Sequence, residues 1–389
     1  MSVVTPEVLV IGAGPAGSTA AACLARDHEV VLVEEHPRPG SPVQCAGLVT
    51  PRGVPPSASH TVLNKVRGAK IHSPMGYVLT LEAKDTRAYV IDRARFDMSL
   101  FQKAVDEGVS AMPGSKVVSV AQDDGAVTTS FESGGVRRDV SSSVAIGCDG
   151  YRSAARKAAG LPPAKHMLMG IQVDLAGAES DPDFVELYLG ENVAPGFFGW
   201  AIPAGDTTRV GLCTWNADHA PAVYLKRLLS RPEFSKARKV SSSSGMIPIG
   251  PGRTARSGRI LLAGDAACHA KPLSGGGVYT GIRGAELSAE CVHAFLVTGE
   301  EAALEDYDPL WKEAFGKELA KAFRLRKIFV SLSDKKMDKA LRIFSDPSLL
   351  ALLEEKGDID YPASLSTQVL KLAPKLAQFS PQLIESLLK

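Results

Sequence analysis

A short apolar run, Val8-Leu9-Val10-Ile11, leads directly into Gly12-Ala13-Gly14-Pro15-Ala16-Gly17, and an alanine-rich stretch follows from Ser18 to Ala25. The run reads as a buried strand of a parallel sheet and the stretch after it as a helix. A second apolar run, Val30 to Val33, closes on Glu34, 17 positions after the last glycine. This order of strand, glycine turn, helix, strand and acidic residue constrains the fold more than any other feature of the chain. Gly12 permits a tight turn, Gly14 lets backbone approach a pyrophosphate, and Gly17 lets helix and strand pack closely. Free N–H groups at the helix start, from Ala16 onward past the N–H-less Pro15, then face phosphate. Glu34 is placed to accept hydrogen bonds from ribose hydroxyls. The pattern predicts a dinucleotide site and leaves the choice between FAD and NAD open.

Composition narrows the setting. The 389 residues suit two or three domains at about 150 residues each. Lys and Arg number 44 against 43 Asp and Glu, so no global basic charge points to nucleic acid. Hydrophobic residues at 45% and charged residues at 22% fit a globular chain and not a disordered one. Six cysteines, at 23, 45, 148, 213, 268 and 291, form no CxxC pair, so neither a disulfide framework nor a metal site is expected. A reducing, cytoplasmic setting follows as the expectation. No apolar run of about 18 residues is present to span a membrane, and MSVVTPEVLVIG does not read as a signal peptide.

Three later segments add to the first. Asp92-Arg93-Ala94-Arg95-Phe96-Asp97 follows a short strand, Ala88 to Ile91, and opens a helix through Gln102. Val144 to Gly147 is another strand and ends in Cys148-Asp149-Gly150. Ile260 to Leu262 leads to Ala263-Gly264-Asp265, then to Pro272, Gly275-Gly276-Gly277 and a helix from Val278 to Leu296. Taken singly, each could be a structural turn. Their order and spacing resemble the flavoproteins grouped with para-hydroxybenzoate hydroxylase and geranylgeranyl reductase, across essentially the first 300 residues. The resemblance implies FAD. In it, Asp265 binds the ribitol chain, and Gly275, Gly276 and Gly277 let backbone lie against the flavin ring. The positive end of the helix from Val278 sits near the pyrimidine. It also implies cofactor contacts from Asp149, Gly264 and Arg93, and a backbone contact from Val117 to adenine. For Arg93, a salt bridge to Asp92 or Asp97 is the plainer role.

Residues 163–248 hold no second nucleotide fingerprint. They alternate as strands at Met167–Leu175, Phe184–Leu189, Phe197–Pro203 and Thr208–Thr214, joined by a 67–82 hairpin. The fold class expected is α/β, a split Rossmann-like FAD domain with an inserted, largely antiparallel sheet and a C-terminal helical region. The corresponding spans are 1–66, 83–162 and 249–299 for the cofactor, 67–82 and 163–248 for the substrate sheet, and 300–389 for the helices. In the last, Trp311, Phe315, Leu319 and Phe323 recur every fourth position on one face.

Two segments resemble archaeal geranylgeranyl reductases more closely. Ser41-Pro42-Val43-Gln44-Cys45-Ala46-Gly47 is similar to their cysteine loop beside the flavin. Leu187 to Gly190 with Pro195 to Pro203 resembles their aromatic pocket signature. Phe198 and Ile202 depart from that signature, whereas Trp200 and Pro203 keep it. The loop is one residue shorter than in those relatives, and Lys271 stands where they often carry an acid or amide. The resemblance implies a flavin reductase that saturates isolated double bonds of a polyprenyl lipid or prenyl diphosphate. Such an alkene needs a hydride on one carbon and a proton on the other, in a dry pocket. Cys45 is the first candidate donor, with Tyr188 and Trp200 beside it as candidate catalytic residues and His269 as a loop histidine. Phe197, Phe198, Trp200, Ile202 and Pro203 are the candidate pocket, although each also fits plain sheet core.

A flavin monooxygenase shares the fold and three of these motifs, and an electron-transfer flavoprotein:quinone reductase is a second alternative. The Cys45 loop argues against the former and the lack of clustered cysteines after Cys291 against the latter. The electron donor is left open among NAD(P)H, a deazaflavin and ferredoxin. Residues 311–344 carry ten Lys and Arg against four acids. This reads either as a solvated helix face or as a peripheral contact with an anionic membrane surface on the cytoplasmic side.

Overall fold

The computed structural model describes residues 5–123 and 125–379. A six-stranded sheet carries the cofactor motifs, in the order Arg256–Ser257, Ile260–Leu262, Val144–Gly147, Val8–Ile11, Val30–Glu34, Ser110–Pro113. All its pairings are parallel except the two-residue edge strand. Both faces are covered, so the inner strands are buried throughout. That burial is the reason their sequences are continuous apolar runs with no alternation. The helix Pro15–Leu24 lies over the sheet with Ala16, Ala20, Ala21 and Ala22 buried. Its small side chains allow the long helix Val278–Thr298 to approach, and a Cβ at Gly281 would sit 3.8 Å from Ala16 Cβ.

A seven-stranded sheet runs Arg238–Ile249, His166–Ala176, Thr207–Thr214, Gly199–Ala204, Phe184–Tyr188, Gly68–His72, Val78–Glu82. Only the Phe184–Tyr188 pairing with Gly68–His72 is parallel, and it draws the early hairpin into the sheet. The longest strand, Arg238–Ile249, escapes sequence reading because Ser241 to Ser244 supplies no apolar alternation. It forms by pairing with His166–Ala176 along its length. A three-stranded antiparallel sheet, Ser115–Asp123, Ala126–Ser133 and Val136–Ser142, was likewise not expected from the sequence.

The C-terminal region includes helices Lys317–Phe329, Asp334–Ile343, Pro347–Lys356 and Ser366–Leu372. Residues 380–389 of the expected helical region lie outside the described residues. Trp311, Phe315, Leu319 and Phe323 all face inward and are buried. They meet the cofactor domain at His269, whose ring centroid lies 5.0 Å from Trp311 and 4.9 Å from Phe315.

His269 is fully buried, and neither ring nitrogen has a hydrogen-bond partner. Burial pushes its pKa from 6.5 down to about 3, because a charged imidazolium is poorly solvated there. The folded state thus binds this proton more weakly than the unfolded chain. Stability from the neutral ring is present above pH 6.5 and falls as pH drops toward 3. We expect His269→Phe to flatten the decline in Tm between pH 7 and pH 4. An unchanged slope in thermal melts would place the acid sensitivity elsewhere.

Candidate functional site: a flavin cleft between two sheets

The phosphate-binding turn is shaped by backbone approach. A Cβ on Gly17 would lie 1.8 Å from the Gly12 carbonyl oxygen, and one on Gly12 would lie 2.5 Å from that of Cys148. Gly12 also has φ +94°, where a side chain is strained. Gly14 is different, since nothing lies within 4 Å of where its Cβ would be. The chain itself makes no demand there, and the open space beside the helix start fits a pyrophosphate. Pro15 occupies the first turn, and no side chain caps the helix, so its N-terminal N–H groups are left for an anion.

Glu34 stands at the end of its strand, almost wholly buried. The Ala13 N–H donates to its Oε2 at 2.8 Å, while the His36 N–H donates to Oε1 at 2.9 Å. The carboxylate therefore fixes the glycine turn and keeps lone pairs for ribose. Val117 lies in the adjoining strand, which Gly114 anchors by donating its N–H to the His36 carbonyl. Asp149 has a more structural part than the sequence implies. Its carboxylate accepts from Ser153 Oγ at 2.5 Å and from the Ala154 and Ala155 N–H groups. The side chain thus caps the Ala154–Ala158 helix, and only its backbone borders Gly12.

Gly264 and Asp265 open the loop that leads to Gly275, Gly276 and Gly277, and they adjoin the helix start, a Cβ on Gly264 being 3.2 Å from Ala16 Cβ. Burial raises the Asp265 carboxyl to about 6, opposed by the Arg93 charge. Arg93 forms a two-pronged pair with Asp97 at 3.0 Å for both contacts, which is the ion pair weighed against a cofactor role. Its charge also acts on Asp265 and Cys45. Gly277 precedes the Val278–Thr298 helix, whose start again has no side-chain cap. The Gly275 turn has φ +71° and faces the Phe197 ring, whose Cζ would be 3.4 Å from a Cβ at this position.

The Cys45 loop is held from both sides. The Gly47 N–H donates to Cys45 Sγ at 3.3 Å, and Gln172 Nε2 donates to the Cys45 carbonyl at 3.1 Å. Arg209 Nη1 donates to the Ala46 and Ile91 carbonyls, each at 2.9 Å. Gln172 and Arg209 were missed in the sequence. Gln172 is a polar residue set between Ile171 and Val173, Arg209 follows two threonines, and both reach from the seven-stranded sheet to the Cys45 loop.

The aromatic segment divides. The Phe197 and Phe198 rings stack at 4.2 Å, and Trp200 meets Phe198 edge-on at 6.4 Å. With Leu168, Cys213, Ile247, Ile249 and Ala270 they form one apolar wall, and Trp200 Nε1 is buried without a partner. Ile202 packs with Val66, Ala88, Val90 and Val185, a cluster that Trp200 and Ala46 also touch. The Pro203 carbonyl accepts from Asn64 Nδ2 at 3.2 Å. Ile202 shares the face of Trp200, two residues on, and Pro203 takes the opposite one.

Tyr188 needs a larger correction. Strand pairing sets Tyr188 opposite Gly199 and Leu187 opposite Trp200, so Tyr188 and Trp200 point to opposite faces. Tyr188 stacks on His72 at 4.6 Å and packs with Tyr224, Leu225, Leu228 and Phe234 under the outer helices. Burial and the carboxylates of Glu186 and Glu233 raise its pKa well above the usual phenol value. It has no path to the Cys45 loop.

Glu34→Ala is expected to lower FAD retention at least tenfold, since it removes the Ala13 anchor and a candidate ribose acceptor, and one hydrogen bond to a carboxylate is worth roughly 1.5–3 kcal/mol. The flavin-to-protein absorbance ratio after dialysis reads this directly. Full retention would remove Glu34 from the site.

Comparison with known proteins agrees with this geometry. Residues 5–236 match the FAD binding domain family. An uncharacterized protein of Methanocaldococcus jannaschii is 33% identical over 94% of this chain and 95% of its own. Digeranylgeranylglycerophospholipid reductase 2 of Methanothermobacter thermautotrophicus is 30% identical over 92% of this chain and 97% of its own. Among solved structures, a geranylgeranyl bacteriochlorophyll reductase-like protein from Thermoplasma acidophilum superposes with a TM-score of 0.84 at 23% identity, covering 97% of this chain and 99% of that one. The chain is thus an FAD-binding protein of the geranylgeranyl reductase family of flavoproteins.

Proposed function

We propose that this protein is an FAD-dependent reductase that saturates isolated C=C bonds of a polyprenyl chain, carried on an ether-lipid precursor or a prenyl diphosphate. The observation that carries the reading is the meeting of three parts on one side of the cleft. The Phe197–Phe198–Trp200 wall abuts the Gly275 turn, and Gln172, which holds the Cys45 carbonyl, lies beside Trp200, a Cβ on Gly211 being 2.5 Å from Gln172 Cβ and 2.7 Å from Trp200 Cζ2. FAD, when bound and reduced, supplies the hydride.

The chain's own residues do the rest. The wall excludes water and aligns an apolar chain. The Gly47 N–H donates to the Cys45 sulfur. The thiol's own proton is then free to point elsewhere, toward an alkene carbon. Gln172 and Arg209 keep that loop in register with the sheet. In this reading Cys45 is the proton donor and Trp200 shapes the pocket, while Tyr188 has no part in the chemistry. The cofactor unit is read as 1–66, 83–162 and 249–299, and the substrate sheet as 67–82 and 163–248. NAD(P)H, a deazaflavin and ferredoxin remain the donors to be compared.

Anaerobic incubation of the reduced holoenzyme with prenyl diphosphates and unsaturated ether lipids should give products heavier by two hydrogens per bond reduced. A hydroxylase would stop without oxygen, so inactivity there with turnover in air would overturn the reading. In the same assay, Cys45→Ala should keep its flavin and lose at least 90% of alkene reduction, about what removal of a general acid costs. Unchanged turnover would exclude Cys45 as donor.

Among the described residues no helix is long and apolar enough to cross a membrane. Nine of the ten cations in 311–344 are exposed; the tenth, Arg326, is buried. We read the exposed set as the face that meets anionic lipid. Binding to phosphatidylglycerol vesicles at low salt, lost as salt rises, would support this; no binding at low salt would end it.

A further inference from the structure

Lys271 is buried in the loop before the glycine turn, and the structure shows what it meets. Its Nζ lies 2.5 Å from Asp360 Oδ1, with side chains 6% and 1% exposed. The same Nζ donates to the Ile359 carbonyl at 3.2 Å. The second Asp360 oxygen accepts from Thr50 Oγ1 at 2.5 Å. Other charges face the pair as well: Arg52 at 3.5 Å from Asp360, Asp358 paired to Arg52 at 2.6 Å, and Glu318 within electrostatic reach of Lys271. The C-terminal region is thereby tied to two loops of the cofactor domain at once.

The tie reaches the glycine turn. Lys271 donates its N–H to the Gly276 carbonyl at 2.9 Å, and Gly275 donates to the Lys271 carbonyl at 2.8 Å. Lys271 Nζ would be 3.4 Å from a Cβ on Gly276. A buried ammonium and carboxylate are tolerated as a pair, whereas either alone is an uncompensated charge in a poorly screened interior. Such a charge beside the turn acts on whatever lies against it.

We propose that Lys271 and Asp360 form a charge-balanced clasp that sets how strongly the site favours the reduced cofactor, with Asp360 acting as a positioning residue from the C-terminal region. The inference rests on the flavin ring lying against Gly275–Gly277, and not on which substrate is reduced. The reduced flavin is the more negative form, so the sign of a charge left unbalanced dictates the direction of the change.

The test is the midpoint potential of the bound flavin in the full-length holoenzyme, with absorbance confirming equal loading. Asp360→Asn strands the ammonium and should raise the potential. Lys271→Gln strands the carboxylate and should lower it. Lys271→Met combined with Asp360→Leu should return it close to the parent value, and Lys271→Arg should leave it there. A merely structural role predicts no reversal of sign. Shifts in one direction for both single variants, or none, overturn the clasp. Gly275→Val tests the ring placement separately, by loss of FAD. Retention of FAD in that variant would overturn the placement and the clasp with it.

Discussion

The contact on which the cofactor half depends is the near-touching of backbone at Gly12, Gly17 and Cys148. No side chain larger than hydrogen fits at Gly17 without moving the preceding turn. This contact lets the Pro15–Leu24 helix begin immediately above the ends of two parallel strands. Its uncapped N–H groups then point out of the sheet at a defined place. Glu34 reinforces the arrangement by accepting from Ala13 inside the same turn. Loss of this geometry would remove the phosphate site and the strand register together.

The second constraint is the alternation of the inserted sheet. One face carries Gln172, Trp200, Arg209 and Cys213 toward the cofactor domain, and the other carries Tyr188, Ala201, Val210 and Leu212 under the outer helices. Period-two geometry makes these roles exclusive. It joins Cys45 to the aromatic wall through Gln172 and Arg209, and it removes Tyr188 from the chemistry. The same rule keeps Ile202 on the face of Trp200, and both touch the cluster of Val66, Ala88, Val90 and Val185.

The helices after residue 300 are part of the site's frame. Arg326 sits between the Phe197 and Trp215 rings and donates to the Gly196 carbonyl at 2.7 Å and to the Pro272 carbonyl at 3.4 Å. Burial lowers its pKa to about 10. This guanidinium rests on carbonyl dipoles and aromatic faces. It braces the aromatic wall against the loop that leads to the glycine turn. A count of charges along 311–344 assigns it to a basic surface, although it belongs to the interior.

Local rules were enough for the glycine turn, Glu34, the strand ends at Asp149 and Asp265, and the apolar face from Trp311 to Phe323. In each, a short spacing imposes a steric or periodic requirement that a linear reading detects. The partners of Cys45, the face taken by Tyr188, the capping role of Asp149, the strand Arg238–Ile249 and the Lys271–Asp360 pair were decided only by the tertiary structure. These depend on which strands lie side by side and on residues far apart in the chain meeting where water is excluded. Hydrogen-bond satisfaction and burial act in three dimensions, so no spacing along the sequence encodes them.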